Sequence, residues 1–182
     1  MAAIWHVRGF TLVELLVGMA LMAMLLLLML PSSSIYLADA RIRAAAQAYY
    51  SGAQSARAEA MRRNAPVHIV LTDEPDTAPL QESASGRGWA VLAGGAVVRS
   101  RPAAEGQAHA LSVSASAASL GFDSLGASRY SGDYAVDFSA PAQGTCLAQS
   151  GAQRCLRVVV SRGGQIRLCD PSITTEGDNR KC

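Results

Sequence analysis

The chain has 182 residues, 50% of them hydrophobic and 16% charged, a length that suits one domain plus an accessory segment and excludes a large multidomain enzyme. Its 15 Arg, one Lys and 14 acids leave a formal charge of +2, which excludes a globally basic nucleic-acid coat but not a local basic patch. Aromatics are only 5%, so a core must be built from Val, Leu, Ile and Ala, and the three histidines (His6, His68, His109) have no metal-ligand spacing.

Leu15–Leu30 is a run of sixteen residues without a polar side chain. Extended back to Phe10 it covers 21 residues, about 31 Å of helix against a hydrocarbon core of about 30 Å. The chain reads as a membrane-anchored protein with one soluble domain. A secretory signal peptide cut at Ala38-Asp39-Ala40 fits less well, because the apolar run exceeds the usual length and the cleavage site lies beyond the helix-breaking Pro31-Ser32-Ser33-Ser34. A plain single-pass anchor leaves Glu14 unexplained. A carboxylate inside a membrane helix costs about 2.5–3.5 kcal/mol and needs a partner or a function.

Arg8-Gly9-Phe10-Thr11-Leu12-Val13-Glu14 resembles the processing site of type IV pilins and pseudopilins. The resemblance implies that a prepilin peptidase removes the leader, residues 1–9, by cutting after Gly9, and N-methylates Phe10. Glu14 then becomes the fifth residue of the mature chain and Pro31 the twenty-second, both as in the family, and loss of Arg8 leaves 15 cations against 14 acids. The resemblance also implies an assembly role for Glu14. Pairing with the Phe10 ammonium of a neighbouring subunit would neutralise two charges where water is scarce.

Beyond the membrane segment (10–30) the pattern becomes amphipathic. Ile35, Ala38, Ile42, Ala45, Tyr49, Ala53, Ala56 and Ala60 recur at steps of three and four, with Asp39, Arg43, Gln47, Gln54, Arg57 and Arg62 off the stripe. The spacing predicts that the helix continues over 31–64, ending near Arg63 at Asn64 and Pro66. Gly52 costs only about 1 kcal/mol relative to Ala. Continuous from Phe10, such a helix is about 81 Å long, so its first half must project. An Ala-rich stripe suits close packing on a sheet better than a coiled coil.

From Pro66 the period changes to two. Predicted strands are Val67–Leu71, Trp89–Leu92, Ala96–Ser100, Leu111–Ser114, Leu120–Phe122, Tyr134–Phe138, Leu156–Ser161 and Gln165–Cys169. Asp73–Arg87 is acidic and rich in Pro and Ser, and reads as a mobile loop. The clearest hairpin turns at Arg162-Gly163-Gly164. A helix followed by antiparallel strands gives an α+β fold, with residues 65–182 as the β-domain.

The helix end Ala56–Asn64 with Val67–Leu71, then Gly88-Trp89, Leu120-Gly121-Phe122-Asp123 with Gly126, and Gly164–Pro171 resemble the FimT/FimU-type minor pilins and the GspH-type minor pseudopilins over nearly the whole chain. That resemblance implies two facing antiparallel sheets packed on the long helix, and a subunit near a filament tip rather than the shaft protein. The implied partners are the other minor pilins, the major pilin and prepilin peptidase. The implied location is the bacterial inner membrane, with the soluble domain in the periplasm, and then the assembled pilus. The other reading is a GspH-type pseudopilin of a type II secretion system; Cys169-Asp170-Pro171 and the paired cysteines lean towards the pilus.

Cys146, Cys155, Cys169 and Cys182 fall in the last 37 residues, and an even count in an exported domain points to disulfides. Of three pairings, Cys146–Cys155 with Cys169–Cys182 is favoured, each closing a short loop worth about 2.5–3 kcal/mol on the loop-entropy model. A zinc site lacks a C-x-x-C and a nearby His, and no cofactor is expected. No G-x-S-x-G, H-E-x-x-H or phosphate-binding glycine loop is present, so the chain reads as non-enzymatic.

The last stretch carries Arg154, Arg157, Arg162, Arg167, Arg180 and Lys181 against Asp170, Glu176 and Asp178, a local charge of +3. Some FimT-type pilins bind DNA through a Gly-Arg-x-Arg motif at the equivalent hairpin. Here that stretch is Gly164-Gln165-Ile166-Arg167, with Gln in place of the first Arg, and Arg162 supplies a cation from across the turn. Contacts to double-stranded DNA at such a patch would be with phosphates, salt-sensitive and indifferent to sequence. Charged strand ends that keep sheet edges soluble would carry the same residues.

Overall fold

The computed structural model describes residues 11–103 and 111–182, without the side chains of 26–34 and of Gln143. Gly9 and Phe10 lie outside the described residues. The chain divides into two compact units, Met1–Tyr36 and Leu37–Cys182.

One helix, α1 (Leu12–Arg63), contributes to both. Thr11 caps its described start. The Glu14 amide donates to Thr11 Oγ1 at 3.2 Å, and the Thr11 amide and hydroxyl donate to Glu14 Oε2 at 3.4 and 3.5 Å. This is a reciprocal capping box that satisfies first-turn N–H groups otherwise left without partners. In the first unit, the described side chains from Leu12 to Leu25 are exposed. Among the described residues no helix is long and apolar enough to cross a membrane; the apolar run to Leu30 extends past the described side chains.

In the second unit α1 buries Ala38, Ile42, Ala46, Tyr49, Ala53, Ala56 and Ala60. Two positions differ from the predicted stripe. Ala46 takes the centre of the face while Ala45 is half-buried, because a 3.6-residue period admits either neighbour, and Ile35 is 41% exposed. The helix stops as predicted. Asn64 turns left-handed at φ +50°, its amide donates to Met61 O at 3.3 Å, and the Ala65 amide donates to Ala60 O at 3.2 Å. These bonds form a Schellman closure that frees the chain to turn at Pro66.

Eight strands follow: β1 (Val67–Thr72), β2 (Gly88–Ala93), β3 (Ala96–Arg101), β4 (Ser112–Ala115), β5 (Ser119–Phe122), β6 (Tyr134–Ser139), β7 (Leu156–Val160) and β8 (Ile166–Cys169). They form two antiparallel four-stranded sheets, ordered β3-β2-β1-β5 and β4-β6-β7-β8. Register aligns the core-facing residues: Ile69 is opposite Val91 and Leu120 in one sheet, and Val158 is opposite Val136 and Leu168 in the other. A one-residue slip would turn every one of them outward.

The core lies between the helix stripe and the two inner faces. Small helix residues permit close approach, and Gly52 shows how close. A Cβ there would stand 2.9 Å from the Trp89 indole. What the sequence marks as a mild helix defect is the seat of the largest side chain of the first sheet. The acidic segment 73–87 is not free of ties. Arg87 binds Asp73 at 3.0 Å, and hydrogen bonds from Ser83 to Leu71 O and from Ala115 to Ala84 O, both 2.9 Å, attach it to β1 and β4.

Candidate functional site

At the start of α1, Glu14 closes the capping box with Thr11. Its carboxylate is thereby held at the N-terminal end of the helix, where the backbone N–H dipoles favour negative charge. The T-x-x-E pattern before an apolar run was legible in the sequence as a capping signal, and reading Glu14 only as an assembly residue misses it.

The second candidate site is the β7–β8 hairpin. Its turn is closed by Gly164 N–H to Ser161 O at 2.8 Å and Ser161 N–H to Gln165 O at 3.0 Å. Gly164 sits at φ +76°, and a Cβ there would collide with Gly126 O, so no other residue fits. The same Gly126 carbonyl accepts Arg57 Nε–H at 3.0 Å. The loop that presents it is shaped by Asp123, whose Oδ1 accepts the amides of Leu125 and Ala127 at 2.9 and 2.8 Å. Ser128 N–H then donates to Arg162 O at 3.0 Å. The Leu120–Asp123/Gly126 motif, the Gly164 turn and the helix end therefore form one junction. It holds the backbone of the hairpin tip while the Arg162 side chain stays exposed.

Four of the six cations in the candidate patch are engaged by carboxylates. Arg157 makes two bonds to Asp137, at 2.7 and 3.0 Å, and Arg154 reaches Asp170 at 3.2 Å. Arg180 binds Asp178 at 2.7 Å, and Lys181 meets Glu176 at 3.6 Å. Hydrogen bonding from Arg180 pulls the Asp178 carboxyl down to about 2, so the pair stays charged over the physiological range. Asp137 lies on β6, outside the stretch over which the sequence charge was counted, and lowers the expected +3.

Arg162 and Arg167 are exposed and have no ion pair among the described residues. Arg129, which the sequence did not single out, joins them. It is exposed, its amide donates to Gly121 O at 2.8 Å, and it follows the Ser128 that binds the hairpin tip. Only the tertiary junction brings residues 129 and 162 together. The array can attract anionic oxygens.

The cysteines pair as Cys146–Cys155 and Cys169–Cys182, and none is free. Among the described residues no group of three or more His, Cys, Asp or Glu could hold a metal ion.

Residues 45–164 match the family described as type II transport protein GspH. The chain belongs to the GspH family. Residues 6–30 match the prokaryotic N-terminal methylation motif, which implies processing by prepilin peptidase, inner-membrane anchoring and assembly with other pilins. The family is structural and non-enzymatic. The fold is similar to that of the type IV minor pilin FimU of Pseudomonas aeruginosa in two crystal forms. One has a TM-score of 0.52 and 20% identity over 74% of this chain and 92% of that chain; the other has 0.50 and 19% over 74% and 97%. No curated protein matches the chain.

Proposed function

We propose that this GspH-family chain is a minor type IV pilin that helps initiate or cap the pilus at its tip. The observation that carries the reading is the methylation motif running directly into a Thr11–Glu14-capped helix, whose far half packs on a disulfide-stapled two-sheet domain. Cleavage after Gly9 would place the new Phe10 ammonium beside the helix start that Glu14 faces, and exchange of that carboxylate to a neighbour would set subunit register. The FimU likeness in fold supports a pilus subunit. The family description keeps a pseudopilin of a type II secretion system as the second reading. Deleting genes of one system or the other and following incorporation of the chain into filaments separates the two.

DNA uptake is the finer function, and it is supported only by the exposed guanidiniums of Arg129, Arg162 and Arg167, which have no ion pair among the described residues. An electrophoretic shift with the unit Leu37–Cys182 at two salt concentrations tests it. Arg162→Ala/Arg167→Ala is expected to abolish a salt-sensitive shift, while Arg157→Ala/Arg180→Ala, whose cations are already paired, is expected to keep it. Removing one phosphate-binding cation should lower the salt slope by about 0.9. No shift at low salt leaves a purely structural subunit.

A further inference from the structure

The centre of a β-turn ordinarily carries Gly, Pro, Asn, Asp or Ser, yet the turn Asp123–Gly126, which meets the hairpin tip, presents a leucine. Leu125 is 82% exposed, and no other large apolar side chain among the described residues is exposed as far. The backbone beneath it is fixed. Asp123 Oδ1 accepts the amides of Leu125 and Ala127, while Gly126 N–H donates to Asp123 O and Asp123 N–H to Ala127 O, both at 2.9 Å. The Gly126 carbonyl accepts Arg57 Nε–H. A Cβ on Gly126 would stand 3.0 Å from Met61 Sδ, and Met61 is itself exposed, so a second apolar side chain adjoins the turn.

Cations flank this leucine. Arg129 follows on the same loop, and the Ser128 amide between them binds Arg162 O at 3.0 Å. The loop's one carboxylate, Asp123, is turned onto the amides of its own turn. We infer that Leu125 is an apolar wedge in the DNA contact, and that the site takes duplex DNA at an unstacked base step. The inference rests on the DNA reading of Arg129, Arg162 and Arg167. Guanidiniums alone bind phosphates without regard to stacking, whereas an apolar side chain among them gains by entering between bases. Because the turn is fixed before contact, little ordering cost opposes insertion. A mismatched step has already lost part of its stacking and takes the wedge more cheaply than an intact one.

Fluorescence anisotropy of short labelled duplexes, intact or with a central mismatch, tests this with the full chain in detergent micelles. The unaltered chain is expected to bind the mismatched duplex several-fold more tightly. Leu125→Ala, at an exposed site that folding does not need, should lose that preference. It should weaken binding of the mismatched duplex about tenfold at every salt concentration, leaving the slope of log K against log salt unchanged. Arg129→Ala should instead lower that slope by about 0.9 and keep the preference. Leu125→Met keeps an apolar side chain of similar size and should bind as the unaltered chain does. Equal affinity for the two duplexes, or unaltered binding by Leu125→Ala, overturns the wedge and leaves the DNA reading standing. A lower salt slope in Leu125→Ala also overturns it, because the leucine would then act through the cations. No salt-sensitive binding of either duplex by the unaltered chain overturns the DNA reading and the wedge with it.

Discussion

Gly164 carries two demands at once, a left-handed φ of +76° and a close approach to Gly126 O. Gly164→Ala is expected to cost roughly 1–3 kcal/mol in backbone strain with overpacking of similar size, read as a lower urea midpoint. The Tyr49 and Tyr134 hydroxyls present a different case. Tyr134 donates to Ala117 O at 2.8 Å, and Tyr49 donates to Tyr134 at 3.4 Å inside the core. Burial pushes the Tyr134 phenol up to about 12, and burial followed by the neighbouring Tyr134 raises Tyr49 well above its ordinary value. A phenol whose folded pKa exceeds its unfolded value of about 10 favours the fold below that pH and loses its contribution as pH rises through the folded value. Stability is therefore expected to fall between about pH 10 and about pH 12, and Tyr134→Phe should flatten that part of the pH profile while costing about 1 kcal/mol at neutrality for the lost bond. Chemical denaturation across the alkaline range checks both.

At the scale of elements, the helix terminus, all eight strands and the β7–β8 turn were legible in residue patterns. Local chemistry sets them: Asn64 and Pro66 stop α1, β-branched alternation writes the strands, and glycine supplies the positive φ of the turn. The cap of α1 is set by hydrogen bonds of Thr11 and Glu14 rather than by hydrophobicity. The tail after β8 has no strand of its own. It is held by Cys169–Cys182, by Asp170 N–H to Arg180 O at 2.7 Å, and by Arg154 on Asp170. Cys169→Ser/Cys182→Ser is expected to remove about 3 kcal/mol on the loop-entropy model. The loss should appear as amide exchange protection that falls selectively over residues 170–182.

For the whole molecule, the test lies in assembly. Glu14→Gln keeps much of the Thr11 capping geometry but removes the negative charge. If the charge is what a neighbouring Phe10 ammonium recognises, the variant is expected to be processed normally and to enter filaments poorly, as Glu14→Ala should. Fractionation of sheared filaments against membranes, with N-terminal sequencing of the membrane-held chain, measures both steps. Normal assembly of Glu14→Gln would show that the capping geometry alone suffices.

The sequence by itself determined the class of this protein: a processing motif, an apolar run, an amphipathic helix, eight short strands and two short cysteine loops. Each is a local pattern, set by side-chain period, turn chemistry or loop length over a few residues. Tertiary structure alone decided which cations are free. Arg157 is neutralised by Asp137 from the neighbouring strand, twenty residues earlier in the chain. Arg129 joins Arg162 through the Ser128 bond, and Arg43 meets Arg154 and Arg180 across a groove. Charge acts through space and ignores chain order, so a count along the sequence could locate the basic stretch but not say which of its members a partner would meet.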